Sequence, residues 1–150
     1  MMNRHYERGA SLPEMAIAAT AVLMLIFGIV DFGRAMYTYG FVSNLAREGA
    51  RYAIVRGSTS CTNSNNELSD CNATAADIQS YVQSLSEGAT IASSIDVATP
   101  TYSCPNGATA TNAPGCTIAV QVTYPFKFVM GFMPKATLDI SSTSTMVISQ

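Results

Sequence analysis

The chain has 150 residues, a formal charge of −2, four cysteines and a single histidine. That length accommodates one small domain beside a membrane segment, and beyond Gly57 two lysines face six acidic residues, which argues against nucleic acid as a partner of that part of the chain. Few charges and many Ser, Thr, Asn and Ala residues give the look of an exported, surface-facing domain. The chain opens on a charged leader, residues 1–9, which holds Arg4, His5, Glu7 and Arg8 and ends in Gly9. Ala10-Ser11-Leu12-Pro13-Glu14 follows, and from Met15 to Val30 only Thr20 and Gly28 interrupt an apolar run.

A secretory signal peptide shares the basic start and apolar run, but this run exceeds the usual h-region and no small-x-small site lies between Val30 and Arg34. A membrane anchor fits its length better, since about 20 residues cross the hydrocarbon core. The spanning segment is expected at about residues 12–32, with Arg4 and Arg8 holding the N-terminus in the cytoplasm. An anchor alone does not explain Glu14, because a carboxylate at the start of a membrane helix costs a few kcal/mol on insertion scales and is a functional residue by default. Cleavage after Gly9 would make Ala10 the new N-terminus and Glu14 the fifth mature residue. This layout resembles that of prepilin-like proteins and points to assembly into a filament.

The helix is expected to run on through Val55, giving one element over residues 10–56. No proline interrupts residues 32–55, and apolar or small residues recur at helical spacing at Phe32, Met36, Tyr39, Val42, Ala46, Gly49, Ala50 and Ala53. Asp31 with Arg34 and Glu48 with Arg51 are i,i+3 ion pairs on its surface. Ala46, Gly49, Ala50 and Ala53 make a small-residue packing face for close approach of another element, most simply the protein's own sheet. Gly28, Gly33 and Gly40 each weaken the helix by about 1 kcal/mol relative to alanine, and Arg56-Gly57-Ser58 stops it with Gly57 at C′.

The remainder, residues 57–150, reads as an extracytoplasmic head. Asn72 or Thr74 caps a helix over Ala75 to Ser86, with Ile78, Tyr81, Val82 and Leu85 on one face, ended by Glu87-Gly88. A weak strand covers Ile91 to Thr99, with Ile95 and Val97 on one face. The clearest strand is Thr117 to Phe126, where Ile118, Val120, Val122 and Tyr124 alternate, and Pro125 marks an edge or a break. Lys127 to Pro134 is an apolar loop and Leu138 to Ser149 a last strand. The fold class is therefore α+β: a long hydrophobic N-terminal helix that spans the membrane and continues as a stalk, leading into a head with one helix on an antiparallel sheet. The long helix supplies further cover for that sheet.

All four cysteines lie in the head. Cys61 and Cys71 bracket one polar loop, and Cys104 and Cys116 bracket another rich in Asn, Gly, Pro and Thr. Neither spacing is that of a zinc ribbon and the only histidine is in the leader, so no metal and no cofactor is expected. Two local disulfides, Cys61–Cys71 and Cys104–Cys116, formed in an oxidising compartment, are the simplest of the three possible pairings.

Gly9-Ala10-Ser11-Leu12-Pro13-Glu14, then Gly28-Ile29-Val30-Asp31-Phe32-Gly33-Arg34-Ala35, then Ala46-Arg47-Glu48-Gly49-Ala50-Arg51-Tyr52-Ala53 resemble the TadE-like family of pseudopilins. The Ala-Arg-Glu-Gly-Ala-Arg stretch is the most specific part, and Val120 to Phe126 is more loosely similar. The resemblance implies a minor pilin-like subunit of a tight-adherence (Tad/Flp) pilus or related secretion system. It also implies cleavage by a prepilin peptidase, and partnership with other pilin and pseudopilin subunits, the inner-membrane assembly platform and the lipid bilayer. The protein would then sit in the bacterial inner membrane as a single-pass chain with its head in the periplasm or outside the cell.

Enzyme readings find no support in the residues. There is no nucleophile elbow, P-loop or dinucleotide fingerprint. Glu67 and Asp70 lie on a solvated loop without a basic partner. The alternative from another class is an anchored adhesin or sensor whose head binds a ligand directly. Processing after Gly9 and co-purification with pili distinguish the two, since an anchored receptor needs neither.

Overall fold

The computed structural model describes residues 11–60, 72–87, 89, 94–105, 112–129 and 137–149. Helix α1 runs without interruption from Ser11 to Val55, and helix α2 covers Ala75–Ser86. The strands are β1 (Asp96–Val97), β2 (Thr101–Ser103), β3 (Thr117–Lys127) and β4 (Thr137–Val147). Pro13 sits in the first turn of α1, where the N–H it lacks has no intrahelical acceptor. Past Val55 the chain tightens: the Arg56 N–H donates to the Ala53 carbonyl, and the Ser60 N–H and hydroxyl both donate to that of Gly57. The expected left-handed glycine at 57 is absent, positive φ occurring among the described residues only at Asn72 and Gly115.

Helix α2 starts on a capping box. The Thr74 hydroxyl accepts from the Asp77 N–H, and the Asp77 carboxylate accepts from the Thr74 N–H at 2.8 Å. Asn72 instead turns the chain at φ 63°, and its side-chain oxygen accepts from the Asn112 amide at 2.7 Å. The buried stripe of α2 is Ile78, Val82 and Ser86, while Leu85 is exposed and Tyr81 half-buried. The apolar face read from the sequence is thus turned by about one residue at its C-terminal end. The Ser86 hydroxyl can be buried because it donates to the Gln83 carbonyl at 2.6 Å.

The sheet is antiparallel, with β3 between β4 on one side and β1 and β2 on the other. All of β3 is paired with β4, from Thr117 opposite Val147 to Lys127 opposite Thr137. Ile118, Val120, Val122 and Phe126 face α1 and are buried. The Ile148 N–H donates to the Cys116 carbonyl across this pair, so even-numbered residues of both strands point their backbone groups at each other and odd-numbered ones point them away. That phase explains Pro125. It is odd-numbered, so the missing N–H faces the side of β1, and β1 ends at Asp96, opposite Thr123. The strand therefore continues through Pro125 to Lys127 with no break and no ladder bond lost.

Helix α1 is the element that covers β3 and β4, whereas α2 packs on α1 and on β1. The expected α+β arrangement is present, with the long helix supplying the larger share of the cover. The lengths explain it. From Asp31 to Ile54 α1 rises about 35 Å at 1.5 Å per residue, and from Thr117 to Phe128 an extended strand covers about 36 Å at 3.3 Å per residue. β3 descends antiparallel along the whole outer half of α1, from the level of Ile54 to that of Asp31. β2 was not expected, and the strand expected over Ile91–Thr99 reduces among the described residues to Asp96–Val97, its residues 91–93 lying outside them.

Candidate assembly and membrane-boundary site

Two halves of α1 have opposite surroundings. From Leu12 to Phe27 every side chain is exposed, Leu12 and Ile17 by more than 70%. In an aqueous protein so long an apolar surface would be untenable, and this helix is long and apolar enough to cross a membrane. Glu14 lies exposed in its first turn. Gly9 and Ala10 are outside the described residues, as are Cys61 and Cys71.

The first fully buried residue is a carboxylate, Asp31, 3% exposed. Both its oxygens accept from the Val129 N–H at 3.1 Å, and Oδ1 also accepts from the Arg34 guanidinium at 3.1 Å. The Arg34 guanidinium in turn lies 5.3 Å from the centre of the Phe126 ring. A buried charge is tolerated only when paired and hydrogen-bonded, and here the partners come from one helical turn away and from the end of β3, 98 residues along the chain. The carboxylate ties the lower tip of the sheet to the helix at the level where covering begins. Below it, Leu12 to Val30 is about 19 residues, or ~28 Å of helix, close to the ~30 Å hydrocarbon thickness. Above it, an open groove of about 410 Å³ separates α1 from the lower part of β3, with Arg34, Tyr37 and Tyr124 on its walls.

The covered stripe of α1 is Asp31, Ala35, Thr38, Val42, then Leu45, Ala46, Gly49, Ala50 and Ala53. Its lower part is small and polar, with the buried Thr38 hydroxyl donating to the Arg34 carbonyl at 2.9 Å. Phe32, Met36 and Tyr39, read from the sequence as part of one helical spacing, face outward and are 68%, 56% and 52% exposed. The structure brings Ala46, Gly49, Ala50 and Ala53 together in the core, where a β-carbon on Gly49 would lie 2.6 Å from Val82 Cγ2 and 3.1 Å from Val120 Cγ1. Glycine at 49 is what allows α1, α2 and β3 to meet at one point.

At the top of the stalk the Tyr52 and Tyr81 rings stack at 4.2 Å and the Arg56 guanidinium lies 4.0 Å from the Tyr52 ring centre. These contacts join α1 to α2. Cys104 and Cys116 form a disulfide with a Cα–Cα distance of 4.2 Å. It follows directly on the β2–β3 pair Ser103–Thr117 and closes the loop joining those strands. Burial pushes the Tyr102 phenol above its ordinary range. Among the described residues no group of three His, Cys, Asp or Glu side chains could hold a metal ion.

Asp31 is the site residue that sequence reasoning missed. The nearby Arg34 accounted for its charge, and nothing local signals the Val129 amide. A signal did exist: an aspartate adjoining Val30, at the end of a membrane-length apolar run, requires a partner.

Residues 9–51 match the family model described as TadE-like protein. The matched segment begins at Gly9 and covers nearly all of α1, and it ends among the small residues that meet α2 and β3. Searches of curated proteins and of solved structures find no match.

Proposed function

We propose that this chain, TadE-like over residues 9–51, is a minor pseudopilin: a non-enzymatic structural subunit of a Tad-type pilus or related secretion system. In this reading residues 1–9 are a leader removed by a prepilin peptidase, and residues 12–30 hold the subunit in the inner membrane before assembly. Residues 31–55 are the stalk on which the head is built. One observation carries the reading. The family match coincides with an uninterrupted helix whose first half is exposed and apolar and whose second half is the inner wall of the head. Such a helix has two environments available, lipid before assembly and neighbouring subunits after it. A ligand-binding receptor needs only the first.

The test is the mass of the protein extracted from membranes of cells that make the pilus. Loss of Met1 to Gly9 is expected, with Ala10 as the new N-terminus, together with recovery of the processed chain in sheared pili. Gly9→Arg is expected to abolish both. Finding the intact leader on the protein in piliated cells overturns the reading.

A further inference from the structure

We propose that the free edge of β4 is an interface that accepts one extended strand from a different pilin-like subunit of the same assembly; this partner class rests on the pseudopilin reading, but the open edge does not. The register puts the backbone N–H and C=O groups of Thr137, Asp139, Ser141, Thr143, Thr145 and Val147 on the side away from β3. Among the described residues none of these groups takes part in a hydrogen bond.

An open edge as long as its sheet is a template for another strand, and proteins that must avoid this blunt such edges with lysine, proline, bulges or shortness. β4 uses none of them. It has 11 residues, no proline, no lysine and a single charge, Asp139, and six of its residues are Ser or Thr. The opposite edge is treated differently. β1 and β2 have two and three residues, and the outward carbonyl of Val97 accepts from the Gln79 side-chain amide at 2.8 Å. One edge is short and capped by α2 at β1, while the other is long and uncapped.

The same geometry excludes an antiparallel two-fold pair of copies as the occupant. β4 runs antiparallel to β3, hence parallel to the outer half of α1. Antiparallel pairing of two β4 edges about a two-fold axis would set the two α1 helices in opposite directions, and their apolar halves could not enter one bilayer with the same orientation. Head-to-tail pairing of β4 with the β1–β2 edge of another copy meets an edge of only two and three residues, its β1 part already bonded to Gln79. A strand from a different subunit satisfies both constraints, through main-chain hydrogen bonds to the odd-numbered residues.

Residue-resolved amide exchange on the full chain tests this, comparing the detergent-extracted protein with the same protein in sheared pili. In the extracted protein the amides of Ser141, Thr143 and Thr145 should exchange freely while those of Ser142 and Ser144 are protected. In pili the odd-numbered amides should slow by about tenfold or more. Thr143→Pro removes an outward N–H and no internal bond, so the extracted variant should keep protection at Ser142 and Ser144 yet be lost from pili. Should that variant not fold, the wild-type comparison still decides. Free exchange of the odd-numbered amides in pili that contain the chain overturns the proposal. So does protection that appears in the extracted protein as its concentration rises, because that identifies a second copy. Absence of the processed chain from the pilus fraction overturns the pseudopilin reading instead, and with it this class of partner.

Discussion

A β-carbon at position 49 would meet a methyl of Val82 at 2.6 Å and one of Val120 at 3.1 Å, both in packed side chains of the core. At position 40 of the same helix it would meet nothing within 4 Å. The two glycines therefore respond to alanine with opposite signs. Gly40→Ala gains about 1 kcal/mol of helix propensity. Gly49→Ala gains the same propensity but forces α2 and β3 apart, and overpacking of this kind costs about 1–3 kcal/mol. In the detergent-extracted chain Gly40→Ala should raise the thermal midpoint and Gly49→Ala lower it. A rise in both would mean that Val82 and Val120 adjust freely. Asp31 gives a second prediction at this scale. Asp31→Ala leaves the Val129 N–H without its acceptor and Arg34 without its carboxylate, a loss of about 0.5–1.5 kcal/mol, because both donors are exposed enough for water to replace it. Exchange at the Val129 amide should accelerate far more than at Val120 or Val122, because only the lower tip of the sheet is released. Uniform acceleration would show that Asp31 supports the whole head rather than its attachment at the boundary.

Among the elements, those with a period of their own were legible. Helix α2 lies where Thr74 and the spacing of Ile78 and Val82 place it, and β3 where Ile118, Val120 and Val122 alternate. β1 and β2 were not legible in the same way, because strands of two and three residues exist by pairing with β3 and carry too few positions for a pattern. The lower stalk misled for a different reason. Hydrophobicity selects Phe32, Met36 and Tyr39, but the covered side of the lower stalk holds the small and hydrogen-bonded residues Asp31, Ala35 and Thr38. The start of α2 carries a pH dependence. The hydrogen bonds from the Thr74 hydroxyl and then the Thr74 N–H hold the Asp77 carboxyl below its usual range. A carboxyl depressed in the folded state stabilises above its unfolded pKa, and that contribution disappears as pH falls through the folded value. Amide exchange in the first turn of α2 should accelerate on acidification below the ordinary aspartate range, and Asp77→Asn should remove that dependence. A variant that keeps the same acid response would assign it to another group.

On the scale of the whole molecule, the described residues of the head are fastened to α1 from Asp31 to Ile54. Glu14 lies 17 positions below Asp31, on an exposed first turn where no described residue of this chain pairs with it. Its position so close to Gly9 gives it one covalently fixed candidate partner, the ammonium that cleavage would create at Ala10. The two are four residues apart in sequence, so the pair can close within a chain or between Glu14 of one subunit and the N-terminus of an arriving one. In lipid the second arrangement offers a specific gain, because two charges left separate in low dielectric are costly and their union fixes one axial register. The competing account is an acid placed to complement the helix dipole in the headgroup layer, worth about 0.3–1 kcal/mol. The accounts diverge on Glu14→Ala. If the acid sets register, the variant is inserted, cleaved after Gly9 and folded in its head, with the Asp31–Val129 contact intact, and yet does not enter pili. If it serves the dipole alone, loss of at most about 1 kcal/mol at a fraying first turn leaves incorporation unchanged. Processed Glu14→Ala at wild-type abundance in sheared pili would therefore remove Glu14 from the assembly mechanism, while leaving the membrane half of α1 and the Asp31 boundary as they stand.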